Sequence, residues 1–386
     1  MTRRASADLP LHTGSTPRWL FDRMVDLGGA ISEAVVEEYG RDELVRRLSD
    51  PYWFQALGCV LGFDWHSSGV TTTTMGALKT ALSPQKHGIA VVGGKGATSR
   101  KTPDEIDASG LDISAETRDE LKRISRMSAA VDNGCVQDSH VLYHHTMAIS
   151  ETGTWCVVQQ GMSDSTARRY HWLADDVRSF VEEPQTAICA QERRSDPLDL
   201  TAESSGETRA VSVDLVRDDP AHLKRELRGQ RSLADFGSDA STGEAAGDAS
   251  EGERTRIDLT AGSDLTMPDH HRLRRVDVSE RALDQLQRAY EYQPDDYEEL
   301  VELEGIGPGS LRALALIAEL VYDTESSRED PAKYAFAHGG KDGTPHPVKR
   351  ERYDRSIEYM RSMLEGADID RETEQSSLER LAKLEQ

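Results

Sequence analysis

The stretch from Leu300 to Leu320, LVELEGIGPGSLRALALIAEL, constrains the fold more tightly than any other part of the chain. Leu300 and Leu303 close one amphipathic helix, and Leu311, Leu314, Ala315 and Ala318 resume helical spacing on a second. Between them stand Gly305, Ile306, Gly307, Pro308, Gly309 and Ser310. Two glycines two residues apart permit a tight turn with positive φ and leave the backbone bare. Ile306 is the apolar residue between them, placed to plug the gap between the helices. Amides of the turn and of the second helix's start then face outward together, which makes a seat for a phosphate oxygen. The competing expectation is an ordinary pair of helices joined by a glycine turn.

The remaining sequence is read around that element. Its 386 residues suffice for two or three domains. A formal net charge of −23 argues on its face against a polyanionic partner. However, the 46 basic residues are mostly arginine, and many of the 69 acids fall on loops and helix faces. That is the pattern of a halophilic surface, adapted to a high-salt cytoplasm, so the places where acids stop become informative. No stretch is long and apolar enough to cross a membrane and the N-terminus lacks a secretory apolar segment, so a cytoplasmic protein is expected. Cys59, Cys135, Cys156 and Cys189 are scattered with no CxxC, which points to buried reduced thiols rather than a zinc ribbon or a disulfide framework.

Residues 1 to about 62 read as helical. Thr16 and Pro17 start one helix with Trp19, Leu20, Met24 and Leu27 on its inner face, and Gly28 and Gly29 interrupt it. Asp50 and Pro51 start another, with Trp53, Phe54, Leu57 and Leu61 inward. From Trp65 to Pro103 there is no Asp or Glu. The same window carries His66, Lys79, Lys86, His87, Lys95, Arg100 and Lys101. Within it, Gly88 to Val92 reads as a short buried strand running into Gly93-Gly94-Lys95-Gly96. Such a loop can wrap a phosphate, although it lacks the spacing of a Walker A sequence. Binding of a nucleic-acid phosphate suits the acid-free window better than binding of a nucleotide. Thr102-Pro103 begins a helix and Ser114 to Ala130 forms another.

The second informative region runs from Asp132 to Trp172. His140 to Ile149 reads as a strand, Glu151 to Gly153 as a turn, and Trp155 to Gln160 as its hairpin partner. Ala167 to Trp172 follows as a helix or loop. Asp138, His140, His144, His145 and His171 fall close together, with Gln160 on the neighbouring strand. On a regular strand His140 and His144 share a face and His145 points away. Histidine with aspartate is a ligand set for a divalent metal, and histidine alone can serve as a general base. Arg168 and Arg169 suit bidentate phosphate contacts. Asp64 and His66 can join from the earlier window. The composition is that of a phosphodiester-cleaving site: Asp138, His140, His144, Asp64 and His66 as metal ligands, and Arg or Lys to stabilise developing charge. The divalent ion expected is Mg²⁺ or Mn²⁺. A metal nuclease normally uses two or more carboxylates, and only Asp138, Asp64 and Asp132 are at hand. The competing expectation for each histidine is a packing role.

Beyond this, Ala210 to Val216 reads as one more strand. Asp235 to Glu253 is Gly, Ser, Ala, Asp and Glu with one Phe and one Thr, a solvated linker or insertion. The division expected is therefore a mixed α/β lobe over 1–232, a low-complexity segment over 233–264 and a helical lobe over 265–386. Lys333, His338, Lys341, His346, Lys349 and Arg350 make a basic, glycine-rich loop after the hairpin.

Several stretches now carry a resemblance: FDWHSSG (Phe63 to Gly69), GGKG (Gly93 to Gly96), LYHH (Leu142 to His145), QQGM (Gln159 to Met162), RRYHW (Arg168 to Trp172) and KYAFAHGGKDG (Lys333 to Gly343). Together they resemble the uncharacterised archaeal and bacterial family catalogued as domain of unknown function 763. The stretch Gly305 to Ser310 resembles the helix-hairpin-helix motif, which implies sequence-independent contact with a nucleic-acid backbone. The family supplies no established activity. Helix-hairpin-helix DNA glycosylases are similar only in the hairpin. Gly309 stands where their bifunctional members have a catalytic lysine, and Asp330, the acid nearest to the place of their aspartate, lies too far along. Base excision is therefore not expected.

The expectation is an α+β protein that binds nucleic acid, DNA before RNA, and processes it as a metal-dependent nuclease in repair. Repair or replication proteins are further expected partners. Gly305, Ile306, Gly307, Gly309 and Ser310 hold the backbone; Lys95, Arg100, Lys101, Arg168, Arg169 and Lys341 line the strand's path. Asp138, His140, His144, His145, His171 and Gln160 form the catalytic set. The alternative is a non-catalytic DNA- or RNA-binding factor, and a third reading is a nucleotide-binding enzyme using the Gly93 to Gly96 loop.

Overall fold

A computed structural model describes residues 16–63, 69–163, 166–190, 193–218, 256–257, 276–277, 280–332, 334–335, 350–367 and 371–382. The fold is α+β, as its alternating helical and strand-like patterns require. α1 (Arg18–Tyr39) places Met24, Leu27, Ile31 and Val35 inward at helical spacing. Trp19 stands one residue, about 100° of helix rotation, from Leu20 and is exposed rather than inward. Gly28 and Gly29 do not break α1. They let a neighbouring helix approach: an added Cβ would lie 3.5 Å from Leu78 and 3.3 Å from Ala81. α2 (Arg41–Ser49) leads to α3 (Pro51–Val60), which Asp50 caps by accepting from the Tyr52 and Trp53 amides at 2.9 and 3.2 Å. α3 is buried all round. α4 (Gly69–Ala81) and α5 (Pro84–His87) complete this helical layer.

β1 (Ile89–Lys95) follows, then a 3₁₀ turn over Gly96–Lys101, α6 (Thr102–Asp107) and α7 (Ala115–Gly134), capped by Ser114. The chain continues through β2 (Val136–Gln137), β3 (Val141–Ser150), β4 (Trp155–Met162), β5 (Ala167–Leu173), β6 (Ala187–Ala190), β7 (Leu198–Asp199) and α8 (Gly206–Arg217). Two expectations change here. Ala167 to Trp172 is a strand, because its alternation of polar and apolar residues feeds both faces of a covered sheet. Ala210 to Val216 lies in a helix, where Thr208, Ser212, Val213, Leu215 and Val216 are buried at helical spacing. β8 (Arg256–Ile257) and β9 (Val276–Asp277) pair with each other. α9 (Glu280–Tyr292), α10 (Tyr297–Glu302) and α11 (Pro308–Tyr322) precede β10 (Tyr334–Ala335), α12 (Arg350–Gly366) and α13 (Arg371–Ala382).

The main sheet has the order β1-β3-β4-β5-β6-β10, antiparallel except for the parallel pair β6–β10. Each face is covered by its own apolar core. Ile89, Val91, Ala148, Cys156, Val158 and Leu173 pack with α1 to α4 and with Met360, Met363 and Leu364 of α12. Ala90, Val92, Met147, Ile149, Val157 and Trp172 pack with α7, α8 and α9 to α11. Residues on both sides of the low-complexity stretch therefore build both cores. The low-complexity stretch itself, at 235–253, lies outside the described residues. The four cysteines are buried thiols that form no disulfide with one another. Among the described residues, no helix is long and apolar enough to cross a membrane.

Candidate functional site

Strand register sorts the polar residues of β3 to β5 onto the two sheet faces. Lys95, His144, Gln160, Arg169 and Cys189 are successive cross-strand neighbours on the face toward α3 and α4. Gly94, His145, Gln159, Tyr170 and Ile188 form the matching row on the face toward α7. The expected sharing of a face by His140 and His144 is not what forms. Register shifts between Leu142 and His144, so that Leu142 pairs with Gly161 and His144 with Gln160. The extra residue, Tyr143, is a β-bulge that reverses the alternation. His140 thus goes with Asp138 to the α7 side and His144 to the other.

On the α7 side Asp138 is completely buried. Its carboxylate accepts from Arg168 Nη1, from the Tyr170 hydroxyl at 3.2 Å and from the His140 amide at 2.9 Å. Ser139 has φ 76°, and this turn lets Asp138 fold back onto the His140 amide and ring. His140 Nε2 lies 3.1 Å from Thr166 Oγ1. Arg168 also donates to Asp330 from both terminal nitrogens, at 3.0 and 2.7 Å. Burial alone would raise the Asp138 carboxyl, but the Arg168 guanidinium, helped by His140, holds it well below the usual carboxylate range. Arg168 is an arginine bridging two aspartates inside the fold, not a free phosphate contact. Asp330, distant in sequence, is the residue that completes this bridge.

Beside it, Asp132 of α7 accepts from Gln159 Nε2 at 2.6 Å, Trp172 Nε1 at 2.9 Å and Gln185 Nε2 at 2.8 Å. Burial pushes its carboxyl up to about 7 against those donors. His145 lies 2.8 Å from the Ser125 hydroxyl and 2.9 Å from Gln159 Oε1, so both ring nitrogens are occupied, and burial lowers it to about 4. This is the geometry of a satisfied core histidine.

On the opposite face, Arg169 donates to His171 Nε2 at 2.8 Å, Gln55 Oε1 at 3.0 Å and Thr71 Oγ1 at 3.4 Å. Its guanidinium stacks over Phe54 at 4.8 Å. Burial, then the nearby Arg169 charge, push His171 well below its ordinary value, so it is a neutral acceptor. His144 is lowered to about 3 by burial, His145 and Lys95, and its Nδ1 has no hydrogen-bond partner among the described residues. Gln160 Nε2 donates to the Tyr143 hydroxyl, and Lys95 lies over the Tyr143 ring at 5.6 Å.

Asp138, His140 and His144 therefore do not fit one divalent ion, because the sheet stands between them. Among the described residues, no three His, Cys, Asp or Glu come together as metal ligands would. Asp64, His66 and Lys341 lie outside the described residues. In the acid-free window, Lys79 pairs with Glu105 at 2.5 Å and Lys86 with Glu33 at 2.7 Å. Arg100 and Lys101 stay exposed on the 3₁₀ turn.

The turn between α10 and α11 keeps most of its expected features. Gly305 is exposed with φ 99°, and Ile306 packs against the core that holds α7. Gly307 precedes α11, no side chain caps that helix, and Pro308 occupies its first turn. The amides of Gly309 and Ser310 fall among those that have no intrahelical acceptor. A Cβ on Gly307 or Gly309 would meet nothing within 4 Å. Ser310 is buried and its hydroxyl donates to Gln285 Oε1 at 2.7 Å, so its side chain is structural. Gln137 Nε2 donates to the Pro308 carbonyl at 2.8 Å, which ties the turn to the segment leading into Asp138.

Comparison with known proteins finds one family, described as "Protein of unknown function (DUF763)", matching residues 5–348. No curated protein and no solved structure matches.

Proposed function

Since the chain belongs to this family of unknown function, we propose from the geometry that it binds a nucleic-acid backbone, DNA before RNA, at the turn Gly305 to Ser310. One observation carries this: α11 begins uncapped at the surface, with open space beside Gly307 and Gly309. An uncapped helix start offers partial positive charge and free donors to a phosphate oxygen. Ile306 anchors the turn, so these amides are held in place before a ligand arrives. Gly134, at the end of α7, lies 3.2 Å from Leu311 if given a Cβ, and Ser125 of the same helix touches His145. Nine residues of helix span about 14 Å, so α7 reaches from the turn to His145 of β3, which pairs with Gly94 beside Lys95. This basic edge supplies the second contact for the strand.

A narrower reading, phosphodiester cleavage in repair, is favoured by one feature, the row Lys95, His144, Gln160 and Arg169 with its unpartnered His144 nitrogen. Asp138 has no part in it, being committed to Arg168. Mg²⁺ or Mn²⁺ stays with this reading only through ligands other than the Asp138, His140 and His144 set.

Fluorescence anisotropy with labelled single-stranded and duplex DNA and RNA, across a KCl series, tests the binding. Gly309→Glu should weaken binding at least tenfold while leaving the melting temperature unchanged or higher, since an acid in the first turn favours the helix but repels phosphate. Equal affinity of this variant and the wild type would refute the turn as the contact. Cleavage lost in His144→Gln, with binding retained, would support the narrower reading; no cleavage under any metal would leave a binding factor.

A further inference from the structure

A cavity of about 600 Å³ opens between the segment carrying β7 and the segment Glu325 to Pro331. Its deep wall holds two side chains that are almost wholly buried, Asp199 and Gln185, at 4% and 5% exposure. Asp199 Oδ1 accepts from the Thr201 amide at 2.9 Å and the Thr201 hydroxyl at 2.6 Å. Its Oδ2 takes no hydrogen bond from the described residues and stays open on the cavity side. Gln185 gives its amide group to Asp132, which fixes its orientation and leaves Oε1 as an open acceptor with no donor among the described residues. Two acceptors of nearly buried side chains thus stay open in the lining, with no donor from the described residues. An acceptor that faces a cleft is met by water or by the donor of a ligand.

The charge around the mouth has the same preference. Glu183, Glu203, Glu325 and Glu329 are exposed along the rim. The arginine in the lining, Arg328, is held by Glu319 in two bonds of 3.0 and 2.9 Å, so it does not offset them. These carboxylates are spread around the mouth, and among the described residues no three of them converge as ligands for a metal ion would. A donor-rich organic cation suits the arrangement better: its N–H groups match the two orphan acceptors and its charge matches the rim.

We infer that this cavity is a binding site for a small molecule bearing a guanidinium or primary ammonium group, seated on Asp199 Oδ2 and Gln185 Oε1 and drawn in by the four rim glutamates. The site is independent of the turn at Gly305 to Ser310. It also lies against the Asp138–Arg168–Asp330 bridge, because Asp330 lines the same cavity. A bound cation therefore contacts the element that holds β5 to the segment after α11.

Equilibrium binding of radiolabelled agmatine to the full chain, at fixed ionic strength, is the test. Saturable binding of one molecule per chain is expected, displaced by methylguanidinium and not by the neutral methylurea. Asp199→Asn should weaken it at least tenfold; the amide oxygen can still accept from Thr201. Asp119→Asn, which alters an acid on the outer face of α7, should leave the affinity unchanged. The double variant Glu203→Gln and Glu329→Gln changes only exposed side chains and should weaken binding about threefold, so the proposal stays testable should Asp199→Asn fail to fold. Binding that does not saturate, that methylurea displaces equally, or that the rim variant leaves intact would overturn it.

Discussion

At the residue scale the buried ions decide most. Among the described residues, Arg168 is the cation that bridges Asp138 and Asp330, with both carboxylates 8% exposed or less. Arg168→Met fills a similar volume but leaves two buried carboxylates unpaired. It should destabilise the protein by about 3–5 kcal/mol, read as a fall in the urea midpoint at unchanged slope. Loss of stability below about 1 kcal/mol would mean that the bridge behaves like a surface ion pair. Asp132 gives a pH signature. Its folded value near 7 lies above the unfolded value of about 3.9. The folded chain then binds the extra proton between those values, so this group's stabilisation is full below about pH 4 and is lost as pH rises through about 7. Buried Asp199, raised to about 6, acts in the same direction, whereas His144 and His145, lowered to about 3 and 4, act in the opposite one. The readout is therefore a difference: the stability of the wild type minus that of Asp132→Asn should fall by a few kcal/mol between pH 4.5 and 7.5. A flat difference would place the Asp132 charge inside the fold at all these pH values. The residue types of this cluster were legible in the sequence, but their roles were not. The sequence marks Asp132 only as a spare carboxylate and gives Tyr170 no role, because the segment from Ala167 reads there as a helix or loop.

At the element scale, one bulge reassigns a site. The alternation rule placed His140 with His144, and the rule is sound for a regular strand. A bulge cannot be read from hydrophobic pattern here, because the exposed residue of β3 is the apolar Val141 while the polar His144, His145 and Thr146 are buried on both faces. The glycines of β1 carry a related constraint. Gly93 has φ 89°, and a Cβ there would lie 2.3 Å from the His145 carbonyl oxygen and 3.1 Å from the Thr146 Cα. These are backbone atoms of the neighbouring strand and cannot rotate away. Gly93→Ala should therefore cost more than about 2 kcal/mol, whereas Gly307→Ala, at φ −140° with open space around it, should cost less than about 1 kcal/mol. Thermal melts of the two variants distinguish a strained glycine from a merely exposed one. The Lys95 loop is thus held by its approach to β3, and the glycine spacing read as a phosphate loop has this packing role.

At the scale of the whole molecule, the sheet has two cores and the C-terminal chain contributes to each. Met360, Met363 and Leu364 of α12 are almost fully buried against α1 to α4. Met363→Ala should destabilise the protein by about 2–5 kcal/mol. Far-ultraviolet circular dichroism and tryptophan fluorescence should still report one coincident unfolding transition, since Trp53 and Trp172 sit in different cores that share the sheet. Two separated transitions would show the two cores to be independent folding units.

The sequence by itself determined the local structure that depends on neighbours in the chain. The glycine turn with Ile306 inward, the β3–β4 hairpin, the Asp50 cap, the buried thiols and the α+β class all follow from spacing, caps and turn residues. Only the tertiary structure decided which polar groups meet. Arg168 joins Asp138 to Asp330, which lies 162 residues beyond it in the chain, and Asp199 of β7 and Gln185 of the loop before β6 come to one cavity wall. Burial then turned titratable groups that looked catalytic into neutral or ion-paired ones. Desolvation and pairing depend on what surrounds a side chain in three dimensions, and no spacing rule along the chain contains that information.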